Sequence, residues 1–147
     1  MIPFPDRENS LTTRAIVRTR VLVVDDEPLI RWSLCTALAA AGFDAVAAAD
    51  APAAARLASE WPPPRVVLVD LENPDVDGKE LLTGIRAVYP DCRFLIMTTD
   101  PRPGNGYCVD GVDVVEKPFD IARIVDRVST LAAEPPRRES PLWLVKR

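Results

Sequence analysis

Five side chains in this 147-residue sequence stand where they could act together: Asp25, Asp26, Asp70, Thr98 and Lys117. Each closes or follows a short apolar run. Val21 to Val24 precede Asp25-Asp26, Val66 to Val69 precede Asp70, Phe94 to Met97 precede Thr98, and Val112 to Val115 precede Glu116-Lys117. The first three runs are unbroken and the fourth is interrupted by Asp113; unbroken apolar runs of this length suit strands buried on both faces of a parallel sheet. Open α/β sheets place their chemistry at the carboxyl ends of the strands. The spacing therefore predicts one crevice holding three carboxylates, a hydroxyl and an ammonium.

Three carboxylates so placed repel one another, by about 4 kcal/mol per pair at 4 Å and an effective dielectric near 20. Lys117 supplies one opposing charge and a divalent cation would supply two. Ligation by oxygen alone favours Mg²⁺, or Mn²⁺, over zinc or copper. With the charges balanced, an Asp70 oxygen can attack a phosphoryl group to give an acyl phosphate. Thr98, Lys117 and the metal would then hold the three oxygens. The chain has no histidine. That excludes a Ser/His or Cys/His catalytic pair, a histidine-ligated zinc and a phosphohistidine formed on this chain. Singly, each residue has a plainer reading: Asp70 as a cap or turn former, Asp26 as an acid at a helix start, Thr98 as a strand end, Lys117-Pro118 as a turn. Their joint position is what favours chemistry.

The elements that must hold these groups alternate. A leader over residues 1–18 precedes a first strand running from about Thr19 to Asp25. Pro28 then opens a helix with Ile30, Leu34, Ala37 and Leu38 inward, closed by Gly42. Phe43 to Ala49 reads as a second strand, and Asp50-Ala51-Pro52 starts an alanine-rich helix reaching Glu60. Beyond Asp70, a turn over Glu72 to Asp75 leads to a helix over Gly78–Val88, with Leu81, Leu82 and Ile85 inward, and Arg93–Met97 forms the fourth strand. Residues Pro101 to Gly111 are so rich in proline and glycine that a fourth helix there is shortened or irregular. Val112–Val115 is the fifth strand, and Phe119–Ala132 the final helix. The expectation is an α/β, flavodoxin-like, doubly wound five-stranded parallel sheet in order 2-1-3-4-5, occupying residues 19–133. Residues 134–147 form a tail with no output domain.

Composition narrows the field. The length suits one domain with a proper core. A net charge of −4 argues against direct nucleic-acid binding, which demands a basic surface. No apolar run is long enough to span a membrane, and the amino terminus lacks a signal peptide's apolar block, so a cytoplasmic protein is expected. Cys35, Cys92 and Cys108 lack metal spacing and read as free thiols. Trp32 and Trp61 read as packing at the surface edge.

The motifs VLVVDDE at Val21–Glu27, LVDLENPDVDG at Leu68–Gly78, LIMTT at Leu95–Thr99 and EKPF at Glu116–Phe119 together resemble the receiver domain of two-component response regulators, over about Arg20 to Leu131. The resemblance implies a stand-alone signalling module and not a turnover enzyme. It implies Asp70 as phosphoacceptor, Asp25 and Asp26 as the acidic metal pair, and the Glu72 main-chain carbonyl as a further Mg²⁺ contact. Thr98 would be the responding hydroxyl and Lys117 the phosphate-binding lysine. The implied donor is a phosphohistidine on a sensor histidine kinase or phosphotransfer protein, and the output is contact with a downstream protein, with a homodimer allowed. Three places depart from the family's pattern: Val114 where an aromatic residue is usual, the proline- and glycine-rich interval after Thr98, and the Glu72 carboxylate two residues past the phosphoacceptor.

Two other readings compete. One is a receiver-like binding module that works without phosphate. The other is an aspartyl-phosphate phosphatase of the haloacid dehalogenase type, which wants its nucleophile on an early strand in an Asp-x-Asp motif; here the third strand carries it, followed by Leu71-Glu72. The tail's Leu142-Trp143-Leu144-Val145, set between basic residues, reads either as a docking segment for a partner, as a mobile end, or as a patch folded back on the domain.

Overall fold

The computed structural model describes residues 18–70, 80, 83–84, 86–87, 90–99 and 112–135. Five strands, β1 Arg20–Val24, β2 Asp44–Ala48, β3 Val66–Asp70, β4 Arg93–Thr98 and β5 Val112–Glu116, form one parallel sheet in the order β2-β1-β3-β4-β5. Three helices are described from end to end: α1 Pro28–Ala40, α2 Ala51–Glu60 and α3 Ile121–Ala133. Residues 80, 83, 84, 86 and 87 are also helical, inside the span expected for the helix after Asp70. Glu72, the inward positions of that helix, the interval 100–111, the leader through residue 17 and residues 136–147 lie outside the described part.

The apolar runs are unbroken because each face of the sheet has its own core. Val21, Val23, Val66, Leu68, Leu95 and Met97 pack with Leu34 and Leu38 of α1 and with Ile124, Val128 and Leu131 of α3. The alternate residues Leu22, Val24, Val67, Val69, Phe94 and Ile96 pack with Ala54 and Leu57 of α2. Strand side chains alternate between faces, so covering both faces demands an apolar residue at every position of the central strands, whereas edge strand β5 carries Asp113, paired with Arg127. Each fully buried Val or Leu stabilises the fold by roughly 1.5–3 kcal/mol.

Registration delivers the polar ends together. Val24 lies opposite Val69, Asp70 opposite Met97, and Thr98 opposite Glu116. β1 stops at Val24, one residue short of the expected Asp25, yet the Asp25 N–H still donates to the Ala48 carbonyl at 3.1 Å. The last helix starts at Ile121 and not at Phe119, because the Asp120 carboxylate accepts from the Ala122 N–H and caps it. Phe119 instead packs half-buried against the core. No helix among the described residues is long and apolar enough to cross a membrane.

Gly42 ends α1 as expected, with φ at +100°. The Gly42 N–H donates to Ala39 and the Phe43 N–H to Leu38, each at 3.0 Å, which satisfies the helix's last carbonyls in a Schellman turn. A Cβ at Gly42 would meet nothing within 4 Å, so the demand is conformational alone. Gly42→Ala should lower unfolding free energy by about 1–2 kcal/mol, and Gly42→Asn by less. Urea unfolding checks both; equal stability of all three proteins would refute the account.

Candidate functional site

At the carboxyl end of the sheet, β1 leads into Asp25-Asp26, and β3 ends on Asp70. One carboxylate oxygen from each of these three residues lies within 4.8 Å of the others. Asp25 is 2% and Asp70 4% exposed, while Asp26 faces solvent. Beyond the end of β5, Lys117 places its Nζ 2.7 Å from Asp70 Oδ1. The Lys117 backbone N–H donates to the Thr98 carbonyl at 2.8 Å, tying the lysine to the end of β4, where Thr98 is buried. The Lys117–Pro118 bond is cis. All five side chains singled out by spacing thus stand at one end of the sheet, on β1, β3, β4 and β5 or directly after them.

Asp25 is held at two points. Its Oδ1 accepts from the Glu27 N–H at 2.9 Å, and its carbonyl accepts from the Arg31 guanidinium at 2.9 Å. Neither support was read from the sequence. A signal did exist for Arg31, the one charged residue between Pro28 and Ala40: a lone charge in the second turn of an otherwise uncharged helix needs a partner at that helix's start. Burial pushes the Asp25 carboxyl up to about 6, with the Asp70 and Asp26 charges adding to the rise; the Glu27 N–H and Lys117 oppose it.

Hard oxygen donors suit Mg²⁺. The three carboxylate oxygens, all within 4.8 Å of one another, would serve as hard ligands to one such ion. One lysine against three carboxylates leaves the described site short of positive charge. Residues and charge both fit the ion.

The model of the response regulator receiver domain matches residues 21–129. The chain belongs to that family. Among curated proteins, the receiver is 43% identical over 124 residues to the transcriptional regulatory protein KdpE of Mycobacterium tuberculosis, covering 79% of this chain and 54% of KdpE. It is 34% identical over 120 residues to PrrA of the same organism, covering 79% and 51%. The chain thus spans about half the length of these relatives. Among solved structures, the chemotaxis response regulator CheY4 of Vibrio cholerae superposes with a TM-score of 0.70 at 26% identity, covering 78% of this chain and 99% of that one. Receivers of this family hold Mg²⁺ in an acidic pocket, and they are generally signalling modules and not enzymes.

The raised Asp25 fixes a pH dependence. Its carboxyl is near 4 in the unfolded chain and about 6 in the metal-free fold, so the folded state binds the proton more tightly. Its ionisation therefore opposes folding in full above pH 6, and that opposition fades as pH falls from 6 towards 4. In EDTA, Asp25→Asn should be more stable than wild type at pH 7.5, with the gap closing by pH 4.5. Denaturant midpoints across that range check it, and a constant gap would refute it.

Proposed function

We propose that this receiver accepts a phosphoryl group on Asp70 from a phosphohistidine donor, a sensor histidine kinase or a histidine phosphotransfer protein, in the cytoplasm. The signal leaves through altered contact with a downstream protein or a second copy of the chain. One observation carries the reading: Asp25, Asp26 and Asp70 converge within 4.8 Å while the Lys117 ammonium touches Asp70.

Asp25, Asp26 and Asp70 would hold Mg²⁺, joined by the Glu72 main-chain carbonyl that the family resemblance supplies. When bound, the ion contributes positive charge against the carboxylates and the phosphoryl oxygens. The Asp70 carboxylate attacks phosphorus as the bond from phosphorus to the donor's imidazole nitrogen breaks, and the electron pair leaves on the imidazole. Lys117 exchanges its contact with the carboxylate for one with a phosphoryl oxygen, and the Thr98 hydroxyl donates to another. Asp25 is held by the Glu27 N–H and the Arg31 guanidinium, so its carboxylate does not turn away when charge accumulates nearby.

Val114 supports a second reading, a binding module that works without phosphate. It packs half-buried against the core face holding Phe94 and Ile96, as an apolar filler where the family usually places an aromatic residue. Unchanged function in cells carrying Asp70→Ala would favour that reading.

Incubation with acetyl phosphate and Mg²⁺ should add one phosphoryl group to the intact mass, and EDTA or Asp70→Asn should abolish the gain. Lys117→Met should slow labelling about 10²- to 10³-fold, as loss of one donor to a developing oxyanion does elsewhere. Labelling of Asp70→Asn, or none of wild type, would overturn the assignment. Calorimetry should show Mg²⁺ binding weakened about tenfold at pH 5 relative to pH 7, since a proton on Asp25 competes with the ion.

A further inference from the structure

At the amino end of the sheet, opposite the acid cluster, a cleft of about 630 Å³ opens beside the start of β1. Arg18, Arg20 and Arg65 line it, and Asp44 is the one acid among the described lining residues. Arg20 is held to Asp44 at 2.9 Å. The Arg65 guanidinium bonds the Glu134 carbonyl, which carries no formal charge. The Glu134 carboxylate lies 3.1 Å from a fourth arginine, Arg93. Three guanidinium groups thus share one carboxylate at the cleft, a surplus of two positive charges among the described lining residues. The negative pole of α3, whose end Arg65 touches, offsets at most about half a charge. The whole chain carries a net charge of −4, so this concentration of positive charge runs against the composition.

The walls of the cleft are fixed by the fold. The Asp44 N–H donates to the Thr19 carbonyl at 2.9 Å and the Arg65 N–H to the Arg20 carbonyl at 2.8 Å. These bonds hold in place the strand ends that carry the arginines. Pro62 and Pro63 form the other wall, with φ locked by their rings and no N–H to satisfy. The Cys92 thiol anchors that run by donating to the Pro64 carbonyl at 2.7 Å. Trp61, directly before the prolines, is 49% exposed, and the Arg20 guanidinium lies over its ring at 5.3 Å from the centroid. Arg20 therefore meets both the cleft and an accessible aromatic ring.

We propose that this cleft binds a small phosphate ester or polyphosphate carrying at least two negative charges. Planar guanidinium groups match phosphate oxygens with paired N–H donors. The volume falls within the range of small-molecule sites, about 300–1,000 Å³. A surplus of two positive charges suits a diphosphate better than a lone carboxylate. The Trp61 ring offers a surface on which a nucleobase can stack, so a nucleotide and an inorganic polyphosphate are two sources of the same chemistry. The cleft lies at the far end of the sheet from Asp70 and uses neither the acid cluster nor Mg²⁺. It therefore stands or falls apart from the phosphoacceptor reading.

The test titrates the ¹⁵N-labelled full chain with pyrophosphate and, separately, with ADP, in EDTA at about 0.15 M salt to screen diffuse attraction. Amide shifts should saturate and centre on Thr19, Trp61 and Arg65. Arg18→Gln and Arg65→Gln should each weaken binding about tenfold. Arg123→Gln removes the same charge from the first turn of α3, at the other end of the sheet, and should leave binding unchanged. Tighter binding of ADP than of pyrophosphate would identify a nucleotide, and equal binding an inorganic polyphosphate. Shifts that never saturate, shifts centred on Lys117, or equal losses in all three variants would overturn the proposal. Arg18 is exposed, so Arg18→Gln keeps the test decisive even where Arg65→Gln fails to fold.

Discussion

Repulsion among three carboxylates is the constraint around which this domain is built. Asp25, Asp26 and Asp70 would separate if they could, and flexible loops would let them. They are held because Asp70 belongs to β3 and Asp25 follows β1 by one residue, with the Asp25 N–H still engaged by β2. The strands cannot slide, since a slip of one residue would exchange their two core faces. The apolar sheet is thus the scaffold that keeps an unfavourable arrangement of charge in place, and Lys117 is the first partial answer to that charge. Its backbone bond to Thr98 makes it a fixed wall of the site and not a mobile surface lysine.

The opposite pole uses arginine with the same economy of position. Arg20 and Arg93 begin β1 and β4, and Arg65 immediately precedes β3. The backbone links them in sequence across the sheet, Arg65 N–H to the Arg20 carbonyl and Arg93 N–H to that of Arg65, each at 2.8 Å. Their side chains reach Asp44 on β2 and the end of α3 at Glu134 and Pro135. Guanidinium groups at the carbonyl end of a helix also meet its negative pole favourably. Acids crowd one end of the strands and arginines frame the other. Among the described residues, the acid end sets one ammonium against three carboxylates.

The strands were legible because a doubly covered parallel sheet writes itself as continuous apolar runs, and the runs ended where charge began. Helix ends were legible where one residue controls them: Pro28 and Gly42 bound α1, and Asp50 caps α2 through the Ala53 N–H. The boundary misread at Phe119 shows the limit. An apolar residue beside a helix looks like its first turn, and only the Asp120 side chain bonded to Ala122 decides where the turn starts. Residue types also announced the acid cluster, but not its internal order. Nothing in the spacing says that Asp25 is buried and Asp26 exposed, or that Arg31 reaches back to the Asp25 carbonyl, because those follow from the angle at which α1 leaves β1. Glu72 and the interval after Thr99 lie outside the described residues.

Charge arithmetic at the site argues for a division of labour between its two cations. Among the described residues, three carboxylates and one ammonium leave a deficit that a single divalent ion would fill. On the proposed reading, converting the Asp70 carboxylate to an acyl phosphate would replace one negative charge by nearly two, so the balance would be lost again at the moment of transfer. Asp25 and Asp26 would then already be committed to the ion, and Asp25 is held through both its carboxylate and its carbonyl. What can still respond is the pair on the far wall, the Lys117 ammonium and the Thr98 hydroxyl, joined through one backbone hydrogen bond between β4 and β5. That pair adjoins β5, which Asp113 and Arg127 tie to α3 by an ion pair. On the proposed reading the β5–α3 side would therefore respond to charge on Asp70, while Arg31 ties α1 to the Asp25 carbonyl.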